Sequence, residues 1–195
     1  LFQNNHSMRI TYAIVALLLV SLCGCGDFFT KDTNPPPVGG SHTLYAAFGP
    51  QNATGSISGF TVGTGGVLTN LNLTTALGVS PRAIAITPNN QFLYVVNQGG
   101  TLDAFSVASN GTLAAISQAT LGNPNALVID PAGKFLYALN PSSAAISAFA
   151  IQSDGSLLQA NAQAITSLTA TDMAITPAGN FLYVASGGDT LIYAL

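Results

Sequence analysis

Few side chains in this sequence can do chemistry, and their types and spacing restrict what that chemistry is. The 195 residues hold seven acids, all Asp, with no Glu and no Trp. His6 and His42 are the only histidines, and Cys23 and Cys25 the only cysteines. That set is too small and too scattered to assemble a Cys/His metal centre, so no metal and no cofactor is expected. The two cysteines lie too close together to close a useful disulfide loop. The cations are Arg9, Lys31, Arg82 and Lys134, and only 6% of residues are charged, against about 25% in ordinary domains. With a net charge of −3 there is no basic surface for a phosphate backbone, which excludes nucleic acid as a partner. A hydrophobic content of 48% excludes disorder. Recognition therefore falls to Arg82, to amides and to hydroxyls.

What must position such groups is a repeat. Ala85-Ile-Thr-Pro-Asn-Asn-Gln-Phe-Leu-Tyr94 returns as Val128-Ile-Asp-Pro-Ala-Gly-Lys-Phe-Leu-Tyr137 and as Ala174-Ile-Thr-Pro-Ala-Gly-Asn-Phe-Leu-Tyr183. Pro88, Pro131 and Pro177 are 43 and 46 residues apart. A second block follows in Ser58-Gly-Phe-Thr-Val62, Asp103-Ala-Phe-Ser-Val107 and Ser147-Ala-Phe-Ala-Ile151. A third is a turn: Gly65-Gly-Val-Leu68, Asn110-Gly-Thr-Leu113 and Asp154-Gly-Ser-Leu157. Three motifs in constant order predict four short strands per unit. Strand A (Ala83–Thr87) is small and aliphatic, and strand B (Phe92–Asn97) is apolar enough to be buried on both faces. Strand C (Leu102–Val107) alternates, and Asn110-Gly111 turns the chain into strand D. A period of about 40–45 residues with four strands is the propeller signature.

The fold class is thus all-β: a β-propeller of four-stranded blades, about four of them present. Two are complete (79–122 and 123–167) and two partial (43–78 and 168–195), of an expected seven in all. Residues 43–78 should give strands B, C and D, and 168–195 strands A, B and C. Leu1 is not Met, Met8 is a better initiator, and no closing strand precedes Leu195, so a fragment is expected. The blade faces at the two ends should then be apolar and exposed, and the chain prone to aggregation.

Ligands of propellers sit where the D–A and B–C connections converge at one mouth of the channel. The D–A connections carry Pro81-Arg82, Pro124-Asn125 and Ala170-Thr171, and strand B ends at Asn97, Asn140 and Ser186. Arg82 reads either as a clamp for a carboxylate or phosphate or, preferably, as a solvated loop cation. Asn97 and Asn140 read as strand-end hydrogen bonders before they read as a ligand cradle. Asp172 and Asp189 fall in mouth-side loops and stay candidates with Asn125, Thr171 and Ser186. Asp154 before Gly and Asp130 before Pro are turn formers, and Asp103 in strand C is expected to face solvent. No catalytic residue can be assigned.

The start of the chain reads as an address. Met8-Arg9 precedes an apolar run over residues 10–22, and small residues follow it. This is the pattern of a secretory signal, and 13 residues fall short of the roughly 20 needed to span a membrane as a helix. Leu22-Cys23-Gly24-Cys25 resembles a bacterial lipobox, which implies cleavage after residue 24, a lipid on Cys25, and the membrane as a partner through that lipid. Residues 25–42, with Pro35-Pro36-Pro37 and Gly39-Gly40, read as a spacer to the domain over 43–195. Residues 8–24 are then a signal peptide, and the location is the bacterial cell envelope, in the periplasm or at the cell surface.

The order Ser-Ile-Ser-Gly-Phe-Thr-Val62, Gly-Gly-Val-Leu68 and Ser80-Pro-Arg-Ala-Ile-Ala-Ile-Thr-Pro-Asn-Asn-Gln-Phe-Leu-Tyr-Val-Val-Asn97 resembles the seven-bladed propeller lactonase family. That family includes propeller 6-phosphogluconolactonases, and related YVTN-type surface propellers share much of the pattern. The resemblance spans residues 43–195 and implies a lactone hydrolase with His, Arg and Glu around the channel. Here the His-rich mouth motif is replaced by Ser-Pro-Arg82, Asn-Pro-Asn125 and Ala-Thr-Asp172. The partner is therefore either a small lactone or, without turnover, an envelope glycan or peptide.

Overall fold

The computed structural model describes residues 42–164 and 169–187. The expected signal peptide, Cys25, most of the expected spacer, Asp189 and the expected third strand of the last blade lie outside the described residues. Among those described, no helix is long and apolar enough to cross a membrane.

Four antiparallel sheets follow one another along the chain. The first contains β1 (His42–Phe48), β2 (Thr54–Val62), β3 (Leu68–Asn70) and β4 (Thr75–Val79), and both β3 and β4 pair with β2. They are two pieces of one outer strand: β3 pairs with Phe60–Val62 and β4 with Thr54–Ile57. The break has a local cause. The Asn72 N–H donates to Asn70 Oδ1 at 2.7 Å, and Asn72 adopts φ 54°, an Asx turn that lifts the chain off the ladder.

The second sheet is β5 (Pro81–Ile86), β6 (Phe92–Asn97), β7 (Thr101–Val107) and β8 (Leu113–Thr120), in that order. The third repeats it with β9 (Ala126–Ile129), β10 (Phe135–Asn140), β11 (Ala145–Ile151) and β12 (Leu157–Ala164). The fourth shows β13 (Ala170–Ile175) and β14 (Leu182–Ser186). The propeller blades expected from the repeat are present, with small shifts of register. The first strand of the second blade starts two residues earlier than the sequence indicates, at Pro81, which pairs with Asn97 across a bulge before Ala83. A proline is tolerated at such a strand start because it owes the ladder no N–H.

The pleat explains the packing. Along β6, Leu93 and Val95 face the first blade, where they meet Tyr45, Ile57 and Leu77. Tyr94 and Val96 face the third blade and meet Leu127, Leu136 and Phe149. Leu139 and Ile146 of the third blade close on Met173, Leu182 and Val184 of the fourth. Strand B is therefore buried on both sides, as its unbroken apolar run requires.

The first two interfaces also share a tyrosine tie. Tyr45 Oη donates to the Gly111 carbonyl at 2.8 Å, and Tyr94 Oη donates to the Gly155 carbonyl at 2.9 Å. A strand-B tyrosine thus grips the C–D hairpin of the following blade. Burial pushes the Tyr94 phenol well above its usual range, and nearby Asp154 adds to the shift. The hairpin aspartate is structural: Asp154 Oδ1 accepts from the Ser156 hydroxyl and N–H, and these bonds hold its carboxyl below the usual range. Asp130 likewise takes the N–H groups of Lys134 and Phe135 at its corner, the place that Thr87 and Thr176 fill in the sibling blades.

One sequence expectation is overturned. Asp103 does not face solvent; it is buried between the first and second blades. Its carboxyl accepts from the Gly78 N–H at 2.9 Å, Asn97 Nδ2 at 2.8 Å and Gln118 Nε2 at 2.6 Å. It sits opposite Val95 in the ladder, on the face that meets the first blade, and three donors from three strands satisfy it there.

Candidate functional site

A cleft of about 510 Å³ opens where three successive blades meet at the mouth. Its wall repeats itself. Arg82 and Thr171, expected in D–A loops, instead occupy the bulges at the starts of β5 and β13; with them the wall takes Asn123-Pro124-Asn125, Thr169-Ala170 and, just after strand B, Gln98, Pro141 and Gly187. Of the candidates read from the sequence, Arg82, Asn125 and Thr171 come together here.

The other described candidates, Asn97, Asn140, Ser186 and Asp172, do not line the cleft. Asn97 and Asn140 end their strands with side chains turned into the sheet stack, while the next residue, Gln98 or Pro141, opens to the mouth. Asn97 is fully buried and donates through Nδ2 to Thr101 Oγ1 at 3.0 Å and to Asp103. Asn140 Oδ1 accepts from the Asn123 N–H at 2.9 Å and so fixes a cleft residue from beneath. Glycines allow this closeness: a Cβ on Gly78 would stand 2.6 Å from the Asn97 amide, and one on Gly122 would stand 2.8 Å from that of Asn140. Ser186 ends β14, its Oγ 2.7 Å from Thr169 Oγ1. Asp172 is exposed on β13, and its Oδ1 accepts from the Met173 N–H. Asp189 lies outside the described residues.

The wall is polar but short of groups that titrate. Arg82 supplies the one positive charge among the lining residues, and its Nη2 donates to Gln98 Oε1. Asn125 Nδ2 donates to the Ala170 carbonyl at 3.2 Å, while its buried Oδ1 has no donor among the described residues. An unsatisfied buried amide oxygen carries a cost, which a ligand hydroxyl or a water would relieve. Guanidinium, amides and the hydroxyls of Thr169 and Thr171 can bind an anionic, polyhydroxylated molecule. Gln98, Asn123, Pro141, Thr169 and Gly187 were not singled out in the sequence, although each adjoins a named candidate or lies two residues from one. Among the described residues, no three His, Cys, Asp or Glu side chains gather as a metal site.

The family described as "Lactonase, 7-bladed beta-propeller" matches residues 40–124 and 119–194. The chain belongs to this family. A 6-phosphogluconolactonase of Serratia proteamaculans is 32% identical to this lactonase-family chain over 96 residues, which cover 44% of it and 29% of the relative. Among solved structures, a candidate 6-phosphogluconolactonase from Bacteroides uniformis superposes with a TM-score of 0.64 at 24% identity. That match covers 71% of this chain and 43% of the other. The periplasmic gluconolactonase of Pseudomonas aeruginosa has a TM-score of 0.53 at 17% identity, covering 74% of this chain and 60% of its own. At these identities the two structures establish the shared fold. The lactonase-family chain spans less than half the length of the Serratia and Bacteroides proteins.

Proposed function

We propose that this chain forms part of an exported, lipid-anchored lactonase-family propeller whose mouth takes a sugar lactone or the aldonate it yields. The observation that carries this reading is the three-blade cleft in which Arg82 stands among amides and hydroxyls. Arg82 holds a carboxylate, or the oxyanion that forms as water adds to the lactone carbonyl. Gln98, Asn123, Asn125 and Thr171 orient ring hydroxyls. The names of the relatives, 6-phosphogluconolactonase and periplasmic gluconolactonase, support the substrate class. An exported site meets unphosphorylated lactones rather than cytosolic sugar phosphates, so a gluconolactone-like ring is the preferred ligand. Hydrolysis also needs a base for the attacking water, and the lining residues offer no carboxylate or imidazole. That favours a second reading, a tethered propeller that binds a sugar acid, envelope glycan or peptide without turnover.

Ring opening separates the two. The full chain should open D-glucono-δ-lactone faster than buffer in a pH-stat assay, and Arg82→Ala should slow it at least about tenfold. Rates equal to buffer, with gluconate still bound, would establish the binding reading instead. The anchor has its own test. A fatty-acid label incorporated in bacteria should be lost with Cys25→Ser and kept with Cys23→Ser; the reverse result would move the lipid to Cys23.

A further inference from the structure

One corner of the cleft is built differently from its repeat equivalents. Each of the three blades gives the wall one residue at or just before the start of strand A and one just after strand B. These pairs are Arg82 and Gln98, Asn125 and Pro141, and Thr171 and Gly187. Pro141 and Gly187 carry no polar side chain to answer the residue beside them, and Asn125 turns its amide to the Ala170 carbonyl instead. Gln98 does answer: its Oε1 accepts from Arg82 Nη2.

The backbone holds both members in place. The Gln98 N–H donates to the Ser80 carbonyl at 2.9 Å and the Gly99 N–H to that of Val79 at 3.0 Å, which ties the end of β6 to the end of β4. Arg82 is the extra residue of the bulge between the pairs Pro81–Asn97 and Ala83–Val96. Chemistry then decides which way the amide points. A guanidinium only donates, so Gln98 turns its carbonyl oxygen to it and its NH₂ away. Among the described residues Gln98 Nε2 makes no hydrogen bond, and the guanidinium makes no other. The corner therefore offers a charged donor for one acceptor and, joined to it, a neutral donor for a second acceptor close by.

We propose that Gln98 is a specificity-determining residue, which reads the oxygen on the carbon next to the ligand's carboxyl group. Arg82 takes the carboxylate, and Gln98 Nε2 donates to the 2-hydroxyl oxygen. The ligand class is then a 2-hydroxy acid or its lactone, held with its carboxyl end toward the second blade. This rests on the sugar-acid reading of the cleft and adds which hydroxyl is recognised and by what. The two acceptors of a 2-hydroxy acid sit on adjacent carbons, as the two donors sit on joined side chains. A ligand without the 2-hydroxyl leaves Nε2 unpaired in the bound state.

Isothermal titration calorimetry on the full chain tests this with gluconate, 2-deoxygluconate and 3-deoxygluconate. The wild type should bind gluconate at least about fivefold more tightly than 2-deoxygluconate. Gln98→Ala should bring those two affinities within about twofold of each other, and should leave the ratio of gluconate to 3-deoxygluconate as it is in the wild type. A loss that is merely structural would weaken all three ligands alike and keep every ratio. A wild type indifferent to the 2-hydroxyl overturns the inference. So does a Gln98→Ala variant that keeps the preference, or one that loses a preference for the 3-hydroxyl instead. Should circular dichroism show Gln98→Ala unfolded, Gln98→Met takes its place under the same criteria. Failure of the sugar-acid reading itself looks different: none of the three ligands then binds the wild type, and the inference falls with it.

Discussion

Gly155→Ala is expected to destabilise the protein by about 3 kcal/mol. Two terms add. Gly155 has φ 82°, a backbone region that costs an L-residue about 1 kcal/mol or more. The new methyl would also stand 2.3 Å from Phe92 and 2.6 Å from Ile116, an overlap worth about 1–3 kcal/mol in a packed interior. Gly66→Ala isolates the first term. Its φ is 78° and its surroundings are open, so the loss there should be about 1 kcal/mol. Urea denaturation in dilute solution measures both. Equal losses at the two sites would mean that the Gly155 hairpin does not press on the preceding blade.

Asp103→Ala should cost about 3 kcal/mol, because it strands the Gly78 N–H and the Asn97 and Gln118 amides inside the blade junction. Asp103→Asn keeps one acceptor oxygen and should recover part of the loss. The midpoint in urea should fall for both, further for Ala. A loss below about 0.5 kcal/mol, the range of ordinary surface substitutions, would put Asp103 in solvent after all.

The repeat made the fold readable. Pro88, Pro131 and Pro177 with Tyr94, Tyr137 and Tyr183 mark the corner and second strand of three blades. The second strands Phe92–Asn97 and Phe135–Asn140 fall where those marks put them. Less readable were features that depend on the neighbouring blade. Asp103 has Ser58 and Ser147 as siblings, which look like a solvent-facing series. Its burial comes from donors on β4, β6 and β8 that no local pattern announces. The broken outer strand of the first blade turns on one Asn pair, Asn70 and Asn72.

For the mouth, the sequence located the right segments, and at the strand ends it named residues that hydrogen-bond within the sheet stack. Asn97, Asn140 and Ser186 close their strands, yet it is Gln98, Pro141 and Gly187 that line the cleft. A one-residue step along a strand reverses the side chain, and only the blade packing says which parity faces the mouth. Arg82 and Thr171 escaped this ambiguity because each is the extra residue of a bulge at the start of its strand, and Asn125 because it just precedes β9.

In the proposed site, groups from three blades act together on a sugar acid or its lactone. The most direct measurement is a gluconate titration of the ¹⁵N-labelled full chain, observed through its side-chain amides by NMR. The amides of Gln98, Asn123 and Asn125 should shift together along one binding curve. Arg82→Ala should weaken that binding at least about tenfold, while the Asn97 amide, buried below, shifts little. Shifts that follow separate curves, or affinity unchanged by Arg82→Ala, would contradict it.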